Sequence, residues 1–333
     1  MIKRKIILLF LCVNFLFSGE LKNHAQVQEA IKLLETWLEA QKDYSQLPGL
    51  SMAVVHDQEL LWSGGYGFSN PKEQMVSSDN SIHSICSISK LFTAIALMQL
   101  RDQGKLRLDD PVSKHLSWYK IKNTFPKMGI ATIENILTHS SGLPRESDYN
   151  YWTGPDFPFP PSEKIIKKLP EQNTLYPADK YFQYSNLGLT LAGEVLSSVS
   201  GRAFDDYVKD NILIPLKMSD TRTFMPKSLF GKQLAIGHEA RNRSGERPAV
   251  PLFNAEGIGP AAGFSSTVLD LAKFASWQFR VLDGKNELIK SNTLREMQRV
   301  HFLDEDWSPA WGLGFSIWKN DSKKFVGHGG SCP

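Results

Sequence analysis

The run Leu91–Leu100, LFTAIALMQL, constrains this chain more than any other segment. Its apolar residues cover nearly every face of a helix, and Gly104 supplies a stop, so the run predicts a buried central rod that other elements must surround. A chain of 333 residues can do that, as one large domain or two intimate subdomains. Hydrophobic residues at 41% and charged residues at 22% suit a globular chain with an ordinary core. A formal net charge of +3, with no Lys/Arg-rich run, argues against nucleic-acid binding. No repeat or low-complexity tract is present, which excludes solenoid and disordered architectures.

The cover for that rod is legible on both sides. Val27–Leu38 carries apolar residues at helical spacing. LSMAVVHDQELLWSGGYG predicts two strands around a polar turn near Asp57-Gln58. Residues 110–180, rich in Pro, Asn, Ser and aromatics, predict long ordered loops with one short helix at Ile133–Leu137. Leu187–Val199 is again apolar and helical, Thr267-Val268-Leu269-Asp270 resembles a capping box, and GLGFSIWK and KKFVGHGG return to strand character. The expected fold class is α+β. A mixed, mainly antiparallel sheet built from both chain ends is flanked by helices, with a mostly helical subdomain inserted.

The N-terminus has another logic. Lys3, Arg4 and Lys5 precede an apolar run from Ile6 to Phe17, and the small residues Ser18 and Gly19 follow. The run is shorter than the roughly 20 residues of a membrane span. Residues 1–19 are therefore read as an export signal, with an uncleaved anchor as the alternative, and the folded domain as 25–333. Outside that segment only Cys86 and Cys332 remain. Two cysteines do not make a disulfide scaffold; Cys86 reads as a small buried hydrophobe, or as bridged to Cys332 in an oxidising compartment.

Ser-x-x-Lys occurs four times, at Ser69/Lys72, Ser87/Lys90, Ser117/Lys120 and Ser316/Lys319. Pro71 interrupts the first, no helical periodicity follows the third, and the fourth lies in a strand, where i and i+3 face opposite ways. Only Ser87 opens a helix, so Lys90 falls one turn later on its own face. A hydroxyl is a weak nucleophile until a neighbour takes its proton, and a buried lysine of lowered pKa can be that neighbour. Tyr184-Ser185-Asn186 precedes the next apolar helix, where a phenol and a carboxamide could enter a cleft. His328-Gly329-Gly330 ends a strand, where glycines leave room for a substrate backbone. Each segment also has an ordinary reading: a solvated cap, a loop tyrosine with an Asn cap, and a turn.

Taken in this order, the segments resemble the serine β-lactamase and penicillin-binding protein superfamily, in its class C-like branch with D-alanyl-D-alanine carboxypeptidases and esterases. GKLRLDDPV, ENILTHSSGLP and GPAAGFSSTVLDLAKF are similar to the same branch. The resemblance implies Ser87 as acylated nucleophile, Lys90 as its proton partner and Tyr184 as shared acid/base. Asn186 would orient Lys90 and the substrate amide, His328, Gly329 and Gly330 would line the substrate, and the amides of Ser87 and Ser331 would form the oxyanion hole. Ser78-Asp79-Asn80 has the wrong chain order for a second motif, His139 is assigned to structure, and no histidine shows metal-ligand spacing. Neither a cofactor nor a metal is expected.

The expected function is an exported serine hydrolase acting through an acyl-enzyme on amide, peptide or ester bonds. Its partners would be small-molecule or peptide substrates, including cell-wall peptides or β-lactams, with no nucleic acid. His328, partly charged near neutral pH, replaces the full cation of dedicated β-lactamases, which favours peptidase or esterase chemistry. The alternatives are a strict β-lactamase and a non-catalytic binding protein of the same fold. The family's later strands and C-terminal helix have no counterpart after Ser331-Cys332-Pro333, so a C-terminally incomplete domain is also expected.

Overall fold

The computed structural model describes residues 21–332. The expected export signal at 1–19 therefore lies outside the described residues. Among them, no helix is long and apolar enough to cross a membrane.

Helix α1 (Ala25–Tyr44) lies against the hairpin formed by β1 (Gly49–His56) and β2 (Glu59–Asn70). It is anchored by buried Ile31 and Leu38 and by the Trp62 indole, which donates to Glu35 at 3.0 Å. The hairpin pairs Gly49 with Gly67 and closes at His56–Glu59 around Asp57-Gln58, with Asp57 left-handed at φ 51°. That is the turn the polar break predicts. The short strand β3 (Met75–Val76) adds to β2, and β4 (His83–Ser84) leads to the central rod, α2 (Ser89–Asp102).

Every residue from Leu91 to Leu100 is buried. Phe92 packs between Phe264 and Phe274, with ring centroids 5.2 and 4.7 Å away. Gly104, at φ 72°, ends the helix: its N–H donates to the Arg101 carbonyl and that of Lys105 to Leu100, closing orphan carbonyls in a left-handed cap.

Helix α3 (Asn186–Ser200) packs beside α2, and α4 (Val268–Leu282) lies on the hairpin. Between α3 and α4, β5 (Ser265–Ser266) pairs with β4. Thr267 caps α4 by accepting from the Asp270 amide at 3.2 Å. The Asp270 carboxylate does not complete a box; it turns to the Asp220 amide, Thr221 and Lys273, because a buried anion needs several donors. The reciprocal box sits instead at Thr132/Asn135, opening the Ile133–Leu137 helix.

Two expectations need correction. Residues 110–180 contain helices at Val112–His115 and Ser162–Lys168 besides Ile133–Leu137. Helices of four and seven residues are too short for periodicity to reveal. The first is gathered by Asp110, which accepts from Lys114, His115 and the Arg107 amide. The α+β class of helices with antiparallel strands holds, but the described strands do not form one sheet. β6 (Phe302–Leu303), β7 (Ala310–Trp311), β8 (Ser316–Asn320) and β9 (Lys323–Gly327) form one antiparallel sheet, and among the described residues it shares no ladder with β1–β2–β3. β1 and β9 are each edges, because a ladder forms only between strands about 4.8 Å apart.

The core depends on the rod. Phe92→Ala should lower unfolding stability by about 3–5 kcal/mol, measured as a fall in the urea midpoint at unchanged slope.

Candidate active site

A 3₁₀ turn, Cys86–Ile88, runs straight into α2. Cys86 holds φ 47°, a left-handed conformation unusual for a non-glycine, immediately before half-buried Ser87. The turn is secured by Ser89, whose hydroxyl donates to the Cys86 carbonyl at 2.5 Å and accepts from the Phe264 amide at 3.0 Å. One helical turn on, the Lys90 side chain is sealed from solvent at 1% exposure.

The Lys90 amine has three neighbours at bonding distance: Ser87 Oγ at 3.0 Å, Asn186 Oδ1 at 2.8 Å and the Ala261 carbonyl at 2.8 Å. Burial lowers its pKa well below the ordinary lysine value; Glu146 opposes the shift and Arg145 adds to it. The Asn186 and Ala261 carbonyl oxygens accept N–H groups from this amine, which also faces Ser87 Oγ.

Tyr184 and Asn186 arrive from the start of α3. The helix cap is Ser185, not Asn186: its hydroxyl accepts from the Gly188 amide at 2.8 Å and donates to the Pro144 carbonyl at 2.6 Å. Asn186 is thereby free to face Lys90. The Tyr184 phenol lies near enough to Ser87 for the serine to lower its pKa. Burial pushes its pKa up to about 12, against the lowering effects of Ser87 and Arg145. Its ring lies 4.9 Å from the Lys90 amine and 4.9 Å from the Arg145 guanidinium.

His139, assigned from sequence to structure, supports this corner. Its Nδ1 accepts from the Ser185 amide at 3.1 Å, and its ring lies 4.3 Å from that of Tyr184. Burial, then the nearby cations, holds its pKa well below normal, so Nδ1 stays an acceptor.

His328 stands just beyond β9, 6.2 Å ring to ring from Tyr184 and edge-on to Trp311. Partial charge near neutral pH does not hold. Burial and the Lys90 charge drop its pKa to about 4, leaving a neutral imidazole. Nδ1 bonds the Gly329 carbonyl, while Nε2 is buried with no partner. The two glycines also divide. Gly329 has open space around it, whereas a Cβ on Gly330 would lie 2.2 Å from the Ile85 carbonyl, so its bareness serves chain packing.

That crossing is covalently closed. Cys86 and Cys332 form a disulfide across 246 residues, Cα–Cα 5.8 Å, so Cys86 is not an isolated buried thiol. The bridge flanks Ser87 on one strand of chain and exposed Ser331 on the other.

Of the predicted residues, the structure thus gathers Ser87, Lys90, Tyr184, Asn186 and His328, with Gly330 and Ser331 at the same rim. Ser316 lies within β8, and Asp79 accepts from Ser63 at 2.7 Å, bonds that leave both in structural roles. Among the described residues no group of His, Cys, Asp and Glu side chains is arranged to hold a metal. Sequence reading missed Arg145, Glu146, Tyr151 and the Ala261 carbonyl. Glu146 accepts from Asn186 Nδ2 at 2.7 Å and from the Tyr151 phenol, and pairs with Arg145. The signal was present: Arg145 and Glu146 directly follow THSSGLP, and Ala261 lies in GPAAGF.

A helical body with antiparallel sheets, holding a Ser–Lys pair against a Tyr and an Asn, is the architecture of the serine β-lactamase and penicillin-binding protein superfamily. The chain belongs to the Beta-lactamase family, whose model matches residues 34–333, and the family is one of serine hydrolases. It is 27% identical to Beta-lactamase-like protein 2 of Dictyostelium discoideum over 302 residues, 89% of this chain and 54% of that protein. The chain spans about half the length of the curated relatives it matches. The octameric penicillin-binding protein homologue of Pyrococcus abyssi superimposes with TM-score 0.77 at 27% identity, covering 90% of this chain and 68% of that one. A D-stereospecific amidohydrolase of Streptomyces sp. shares the fold, with TM-score 0.71 at 24% identity over 93% and 87% of the two chains.

The bridge makes a direct prediction. Cys332→Ser should cost about 2–4 kcal/mol of stability. Wild type treated with dithiothreitol should melt like the variant, as followed by circular dichroism.

Proposed function

We propose that this chain is an exported serine hydrolase that cleaves amide, peptide or ester bonds through an acyl-enzyme on Ser87. The observation that carries the reading is the buried Lys90 amine, with two carbonyl oxygens taking its N–H groups and Ser87 Oγ at 3.0 Å. Lys90 takes the hydroxyl proton as Ser87 Oγ bonds to the substrate carbonyl carbon. The amides of Ser87 and Ser331 stabilise the oxyanion, their spacing held by the Cys86–Cys332 bridge and the Gly330–Ile85 contact. As the carbonyl re-forms, Tyr184 gives its proton to the leaving amine or alcohol and regains one from the Lys90 ammonium. Water then attacks the acyl ester by the same path in reverse, its proton going to the Tyr184–Lys90 pair and the Ser87 hydroxyl re-forming.

The pKa directions support this division of roles. Tyr184, at about 12, is a phenol and a proton donor at neutral pH, while Lys90 is displaced toward the free amine. His328 brings no cation to a substrate carboxylate, which favours uncharged acyl groups over β-lactams. A cavity of about 320 Å³ beside Gly330 and Ser331, lined by Met225, Phe230 and Phe253 and by His83 and His238, offers a substituent both apolar and polar contacts. The disulfide supports an oxidising, exported location.

A fluorophosphonate should label wild type, and Ser87→Ala should abolish labelling and cut p-nitrophenyl ester turnover at least about a thousandfold. Equal labelling of the variant, or nitrocefin turnover exceeding ester turnover, would overturn the reading. The rate should rise with pH as Lys90 loses its proton and level off well below the ordinary lysine value. Because His328 titrates at about 4, His328→Gln should leave that rise in place.

A further inference from the structure

We infer that Glu146 is a positioning residue for the Ser87–Lys90 pair, holding the Asn186 carboxamide in the one orientation that leaves the lysine lone pair to serine. The inference rests on the serine-hydrolase reading and adds a residue to it.

A carboxamide can face a lysine in two ways. With its oxygen inward it accepts an N–H; with its nitrogen inward it donates to the amine lone pair, the electrons needed to take the Ser87 proton. Asn186 alone has little preference, since its two ends have almost the same shape. Glu146 removes the ambiguity. A carboxylate only accepts, so Asn186 Nδ2 must face Glu146 Oε1 at 2.7 Å and Oδ1 must face Lys90 at 2.8 Å.

The carboxylate is itself held. The buried Tyr151 phenol donates to its other oxygen, and the burial that raises the Tyr151 pKa keeps that group a donor. Arg145 Nε lies 3.3 Å from Oε1, and the Gln172 side chain donates to the Glu146 carbonyl at 3.0 Å. Asn186 is 3% exposed, so water cannot easily substitute for a lost partner. The chain of bonds therefore runs Tyr151, Glu146, Asn186, Lys90, Ser87, and only its last two members touch the reacting atoms.

Charge makes the role separable from plain support. Lys90 faces Glu146, Arg145 and His139 from the 139–146 loop, Tyr184 and Asn186 from the start of α3, His328 from the end of β9, and the uncharged Ala261 carbonyl. Among these, the Glu146 anion raises the Lys90 pKa and the Arg145 cation lowers it. Removing each charge should move the acid limb of the rate profile in opposite directions, which loss of packing cannot imitate.

The test is the pH dependence of p-nitrophenyl ester kcat/KM and of fluorophosphonate labelling rate for the full chain and three variants. Glu146→Gln should shift the acid limb to lower pH and reduce the plateau about tenfold. Arg145→Gln, at a side chain 60% exposed, should shift the limb to higher pH. Glu146→Asp keeps the charge but shortens the reach; its plateau should fall with the limb closer to wild type. If Glu146→Gln does not fold, as read by its melting curve, Glu146→Asp still decides the positioning claim through its plateau. Superimposable profiles for the folded Glu146 variants and wild type, or limbs moving the same way for Glu146→Gln and Arg145→Gln, would overturn the inference alone. A wild-type chain that is neither labelled at Ser87 nor turns over ester would overturn the hydrolase reading and this inference with it.

Discussion

A lysine amine shut away from water is the constraint on which the rest of this molecule turns. An ammonium in an apolar interior is costly, and the cost falls either by recruiting partners or by releasing the proton. Lys90 has recruited partners, and burial lowers its pKa well below the ordinary lysine value. Its three oxygen partners come from three separate segments, so the site exists only when the turn at Ser87, the start of α3 and the Gly259–Ala262 helix have all docked. The buried rod makes this docking specific, since α2 packs directly against both α3 and that short helix.

The same economy of partners runs outward. His139 is neutral because burial and neighbouring cations oppose its protonation, and a neutral ring can accept the Ser185 amide that sets the backbone of the Tyr-x-Asn turn. Trp311 packs against His139, Phe182, Tyr184 and His328, tying the C-terminal sheet to the same corner. The disulfide and the glycine crossing at Ile85 hold the end of β9 over the nucleophile turn. Aromatic contact and covalent closure thus join distant parts of the chain at this site.

Much of this was readable before any coordinates. Apolar residues on every face of Leu91–Leu100 announced a buried helix, and a polar break at Asp57-Gln58 announced a hairpin, because both signals are local. Ser87 could be picked from four similar motifs by helix geometry alone. The short helices after Pro111 and Pro161 were not readable, since one or two turns carry too little of a period. Neither was the charge state of His328, whose sequence neighbours are two glycines and whose pKa is lowered by burial and by Lys90. Glu146 was overlooked for the same reason: its meaning depends on Asn186 and Tyr151, and a carboxylate after a proline-containing loop looks like surface.

The sequence by itself determined that a hydroxyl and an amine share one helical turn, because i and i+3 neighbours meet in any helix. It also determined the hairpin, the rod and the strand character near the C-terminal end, all set by hydrophobic periodicity. Only the tertiary structure decided that the amine is dry, that the carboxamide points its oxygen inward, that His328 is uncharged and that Cys86 meets Cys332. Each of those depends on solvent exclusion or on an approach between segments far apart in the chain, and neither quantity is written in local spacing.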